Sequence, residues 1–99
     1  MSFFTEPSHY EKTILSDLQG AWECLRTTTV SHSGFEGWDR LLFHIDEAMS
    51  WETVRRLERM EPLLVLIRNI ATQGDAPAEL MDAIDEVADI LAEVMQGPG

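Results

Sequence analysis

The residue types able to ligate a metal or attack a substrate are few in this chain, and they are scattered. The histidines His9, His32 and His44 and the single cysteine Cys24 show no C-x-x-C, H-x-x-x-H or comparable pairing, whereas a structural zinc site takes four clustered Cys or His ligands. His44 and Glu47 lie three apart, a spacing that puts two potential ligands on one helix face. Carboxylate metal sites in helical bundles, however, repeat a Glu-x-x-His pair and add glutamates from other helices; here the order is reversed and occurs once. His44 therefore reads as a surface histidine beside a solvated acid. Cys24 falls in a helical pattern next to core positions and reads as a small buried hydrophobe.

Nucleophilic catalysis fares no better. Ser8, Ser31, Ser33 and Ser50 stand at caps or in loops, where local backbone hydrogen bonding accounts for them, and Ser16 is an ordinary polar helix residue. No Gly-x-Ser-x-Gly elbow or Gly-rich phosphate loop occurs. Neighbouring carboxylates are abundant, but in a chain with 18 acids they arise by chance. The expectation is a protein that is not an enzyme and holds neither metal nor cofactor.

Charge says more than any motif. The 99 residues carry 18 Asp and Glu against 7 Lys and Arg, a formal charge of -11, and a domain with pI near 4.4 is repelled by a polyanion. Direct nucleic-acid binding is not expected. The longest aliphatic run, Leu63 to Ile67, is far short of the ~20 apolar residues of a membrane span. The opening residues lack the basic start, apolar stretch and small-residue cleavage site of a secretory signal, and one cysteine cannot form an internal disulfide, so a cytoplasmic protein is expected.

The excess charge has an address. Residues 71–99 hold seven acids and no base. Asp82, Glu86, Asp89 and Glu93 recur at steps of four, three and four, opposite an apolar seam, with Glu79 and Asp85 flanking them. Such a row is a solvated face, a surface that recognises a basic partner, or, since it advances about 5 Å per turn like a phosphate repeat, a nucleic-acid mimic. A counter-signal lies mid-chain, where Arg55, Arg56 and Arg59 alternate with Glu52, Glu58 and Glu61, and Glu52 with Arg56 is a favourable i,i+4 pair. Trp51 beside these arginines makes a contact patch, because aromatics and arginine are enriched at binding hot spots. Phe3 and Phe4 either join such a patch or cover one end of the fold.

The reading that follows is a small acidic protein-interaction module, a regulator, inhibitor or chaperone-like protein. Its contact residues are Glu79, Asp82, Asp85, Glu86, Asp89 and Glu93 together with Trp51, Arg55, Arg56 and Arg59, and its partner is a protein, with a basic surface favoured. The alternatives are a structural homo-oligomeric helical subunit, with a homodimer as its simplest form, and a nucleic-acid-mimicking inhibitor of a DNA- or RNA-binding protein.

The elements that must position these residues are helices. Ser8-His9-Tyr10-Glu11 has the form of a capping box, and Tyr10, Ile14, Leu18, Ala21, Trp22 and Leu25 follow at helical steps, which predicts a helix over about 8–27. Gly20 inside it marks a close helix contact or a local weakness, and the run Thr27 to Val30 ends the pattern. A second capping box, Ser33 to Glu36, opens a helix over about 35–49 whose apolar stripe includes Phe35, Trp38, Leu41 and Ile45. Ser50 is a candidate N-cap for a third segment over about 51–60, and Pro62 predicts a kink or restart near Glu61. Residues 62–73 are the most hydrophobic stretch and are expected to be the central, most buried element. A strand there would have nothing to pair with. Gly74 stops that helix, and Pro77 suits the first turn of the last one, over about 76–95, with its seam of Leu80, Ile84, Val87, Leu91 and Val94. Four to five helices with short connections imply an all-α antiparallel bundle in a single domain spanning 1–99, with 1–7 and 96–99 as frayed ends.

Overall fold

The computed structural model describes residues 9–54 and 56–96, and their side chains apart from those of 9–13 and 53. It is all-helical: α1 His9–Ser31, α2 Trp38–Thr53, a 3₁₀ turn Leu57–Arg59, α3 Met60–Gln73 and α4 Ala78–Gln96, with no strand among the described residues. The Ser8–Glu11 capping box, Phe3, Phe4 and the expected frayed residues other than Gln96 lie outside what is described; Gln96 closes α4.

Each helix packs on its neighbours in sequence and α4 closes on α1, while among the described residues the backbones of the diagonal pairs α1–α3 and α2–α4 stay apart. The four helices therefore stand at the corners of a square around one core. Leu18, Trp22 and Leu25 enter it from α1, Leu41 and Ile45 from α2, Met60 and Ile67 from α3, and Leu80, Ile84, Val87 and Leu91 from α4. These are the positions that helical periodicity selects on α1, α2 and α4. Trp38, on the expected α2 stripe, is only half-buried.

A square bundle has no middle helix, which corrects the expectation for residues 62–73. The α3 helix buries Met60, Leu64, Ile67, Ile70 and Ala71. It leaves Val65 and Leu66 exposed, at 61% and 39%. Hydrophobicity around most of a circumference normally signals a helix enclosed on all sides. Here it marks apolar surface turned outward.

The helix boundaries also differ, for local reasons. α1 runs to Ser31 because the β-branched stretch finds internal partners: the Thr29 hydroxyl, fully buried, donates to the Leu25 carbonyl at 2.8 Å, and β-branching lowers helix propensity only slightly. Ser33 does not cap α2. The N-cap is Gly37, left-handed at φ 87, and its carbonyl accepts the Leu41 amide at 2.9 Å, while Ser33 and Phe35 form an isolated bridge. Ser50 is not a cap either, since α2 passes through it to Thr53. The expected helix over 51–60 is replaced by a break and the 3₁₀ turn, with the Arg56 amide donating back to the Trp51 carbonyl at 2.9 Å. Burial of Met60 on the core side decides where the chain re-enters the bundle. The restart expected near Glu61 begins at Met60 and places Pro62 in the first turn, where a helix has no use for its missing amide.

Between α3 and α4 the chain makes a Schellman turn, in which the Ala76 amide donates to the Ala71 carbonyl and the Asp75 amide to Thr72. The left-handed residue is Asp75, at φ 59, and Gly74 has an ordinary φ of -86. Gly74 serves space instead: a Cβ there would collide with the Glu36 carbonyl oxygen. Pro77 precedes α4, its carbonyl accepting the Leu80 amide at 3.0 Å.

Candidate functional site

The outer face of α4 carries the acidic row. With the seam Leu80, Ile84, Val87 and Leu91 fixed against the core, the helical period sets Glu79, Asp82, Asp85, Glu86, Asp89 and Glu93 on the exposed side, and all six are exposed. Two are engaged within the fold. Asp85 Oδ1 lies 2.6 Å from Arg68 Nη1 on α3, and Glu79 Oε1 lies 2.7 Å from His32 Nε2 beyond the end of α1. The His32 Nδ1 faces the Thr28 carbonyl at 3.0 Å. Asp82, Glu86 and Asp89 enter no ion pair among the described residues.

The arginine patch is brought together in part. Arg59 stacks over the Trp51 ring with 5.1 Å from Cζ to the ring centroid, a cation–π arrangement. Arg56 reaches Glu58 at 3.5 Å and not Glu52, because the break after Thr53 removes the helical i,i+4 geometry on which that pair depended. Arg55 lies outside the described residues. Trp51 stands on α2, diagonal from α4, and the 3₁₀ turn that carries Arg59 packs on α4 as well as on α2 and α3.

Next to Trp51 the structure adds what the periodicity did not single out. Phe43, 66% exposed, and Val54, 58% exposed, join Trp51, Asp46, Glu47 and Ser50 around an open concavity of about 500 Å³. The Phe43 ring meets His44 edge to face at 5.3 Å between centroids. Phe43 drops out of the α2 core stripe by one position, and that was the available signal. Asp46 is tied to Arg26 of α1 at 2.7 Å; the hydrogen bond first, and the carboxylate charge second, raise the arginine above its ordinary pKa.

A second concavity, of about 460 Å³, runs between α3 and α4. Leu64, Val65 and Pro62 line it from α3, and Ala88, Leu91 and Ala92 from α4. Two small alanines on one side leave the gap, and α3 and α4 are the least closely packed of the four neighbouring pairs.

Ligand chemistry is sparse. Among the described residues no group of three or more His, Cys, Asp or Glu side chains could hold a metal. His44 Nδ1 lies 3.2 Å from Glu47 Oε1, and both residues are half-buried where the sequence predicts a surface histidine beside a solvated acid. Cys24 is exposed, not buried: on α1 the core takes Ala21, Trp22 and Leu25, and position 24 turns away from them. No helix among the described residues is long and apolar enough to cross a membrane. Compared with known proteins, the chain matches no family model, no curated protein and no solved structure. What fold and surface define together is a small all-α bundle with one strongly acidic helix face and two open apolar depressions.

Proposed function

We propose that this chain is a non-enzymatic protein-interaction module, a regulator, inhibitor or chaperone-like protein, whose acidic α4 face engages a basic surface on a protein partner. The observation that carries the reading is the exposure of Asp82, Glu86 and Asp89 without an ion pair among the described residues, on a helix with no base. Like charges at i,i+4 lower helix stability by a few tenths of a kcal/mol per pair. A face selected only for solubility would gain as much from mixed charges, whereas one sign on one face raises the association rate with an opposite surface and rejects like-charged ones. The lone thiol Cys24 suits a reducing compartment, and the cytoplasm is the proposed location.

The test uses wild-type protein and an Asp82→Lys, Glu86→Lys, Asp89→Lys variant as parallel baits. Proteins held by the wild type, released by salt and lost from the variant support the reading. Equal retention by both baits at low salt overturns it.

Self-association is the second reading, favoured by the exposed Phe43 and Val54 and the half-buried Trp51 around one depression. Light scattering at micromolar concentration decides it. A dimer that Phe43→Ser converts to monomer supports this reading, and a wild-type monomer removes it.

A further inference from the structure

Exposed apolar side chains and the acid Glu61 meet at the α3–α4 groove. Its floor and walls are Leu64, Val65, Ala88, Leu91 and Ala92, with Pro62 at one end. The two groove alanines of α4 are each followed by an acid just outside the lining, Asp89 after Ala88 and Glu93 after Ala92, and Glu61 lines the groove from the α3 side. Glu61 and Asp89 are exposed and enter no ion pair among the described residues. The one cation lining it, Arg68, is held by Asp85. The groove is therefore apolar at its base, with Glu61 on its α3 wall and the exposed Asp89 one helix position beyond its α4 wall.

We propose that this groove seats one amphipathic helical segment of a basic protein partner, its apolar side chains between Val65 and Ala92 and its lysines or arginines facing Glu61 and Asp89. From Pro62 to Asn69 the groove extends about 10 Å along the helix axis, room for roughly two turns and an i, i+3/i+4, i+7 set of anchors. Charge selects this occupant over a second copy of the chain. Two copies each carrying -11 would bring two acidic α4 faces together at the groove, where like charges oppose association. The inference deepens the acidic-face reading and rests on it.

The test titrates a fluorescein-labelled peptide of roughly 14 residues, about four turns, with Leu at i, i+3, i+4 and i+7 and Lys elsewhere, and follows anisotropy. A scrambled peptide of the same composition and a peptide with Glu in place of Lys serve as comparators. The protein is the full chain as wild type, as Ala92→Phe, which fills the groove, as Val65→Ser, which removes one wall, and as the α4 triple reversal. Ala92 and Val65 are both exposed, and circular dichroism reports whether each variant keeps its helices. Saturable binding of the Leu/Lys peptide is expected, weakened about tenfold or more, some 1.4 kcal/mol, by either groove variant and by the triple reversal, with both comparators weaker. Absent binding, or equal binding by the Glu peptide, overturns the proposal. If both groove variants bind like the wild type while the triple reversal does not, the groove is overturned and the acidic face stands. A wild-type dimer that Ala92→Phe dissociates would overturn it in favour of a second copy.

Discussion

Arg68 on α3 and Asp85 on α4 are joined at 2.6 Å, an ion pair between the two least closely packed neighbours of the bundle. Their side chains are 40% and 55% exposed, so solvent screens the pair, and its coupling is expected at about 1 kcal/mol or less. A double-mutant cycle with Arg68→Ala and Asp85→Ala in urea denaturation measures it. Arg68→Ala also frees one more acid beside the groove, so affinity for the Leu/Lys peptide is expected to rise; a fall would show that Arg68 itself contacts the ligand.

The acidic row should be a burden on folding. Glu86→Lys removes the like-charged step from Asp82 and replaces it with an acid followed by a base at i,i+4. Stability is expected to increase by roughly 0.3–1 kcal/mol at low salt, and the gain should shrink as salt is added. Thermal melts at two ionic strengths check both parts. An unchanged melting temperature at low salt would show that the acids do not feel one another.

Two adjacent residues in the α3–α4 turn should respond with opposite signs. Gly74→Ala forces a Cβ against the Glu36 carbonyl and is expected to lose about 1–3 kcal/mol, as for other overpacked sites. Asp75→Gly relieves a left-handed backbone at φ 59 and is expected to gain up to about 1 kcal/mol, the residual after the greater flexibility of glycine when unfolded. Chemical denaturation measures both; a loss at Gly74 follows from its role as helix stop too, so a gain for Asp75→Gly is the outcome particular to the structure.

Gly20 has open space beyond its missing Cβ. The alternative of a close helix contact therefore falls away, and Gly20→Ala should stabilise α1 by roughly 0.5–1 kcal/mol. A loss of stability on denaturation would point to a contact with residues outside those described.

Trp22 is fully buried, and its Nε1 has no hydrogen-bond partner among the described residues. Phenylalanine removes that donor along with part of the volume. Trp22→Phe is therefore expected to lose clearly less than the ~3–5 kcal/mol of a Trp22→Ala truncation. Comparable losses for the two variants would mean that indole volume, and not the unpaired amine, governs the site.

Much of the fold was legible because a 3.6-residue period survives in the pattern of apolar side chains. Leu80, Ile84, Val87 and Leu91 are the buried seam of α4, and Leu18, Trp22 and Leu25 that of α1, as spacing alone predicts. Breaks were read less well. Ser33 and Ser50 have the side chains of N-caps, yet Gly37 begins α2 and Ser50 lies within it. A capping side chain marks where a helix is able to start; the depth at which Met60 must re-enter the core decides where it does.

The acidic face belongs to the sequence: seven acids without a base, spaced by four and three against an apolar seam, leave one side of α4 charged in any fold that buries the other. The groove belongs to the tertiary structure. Val65 and Leu66 are as apolar as their buried neighbours, and nothing local distinguishes them. Both are exposed because four helices at the corners of a square offer each only two neighbours, and Val65 also because Ala88 and Ala92 are too small to close the gap to α3.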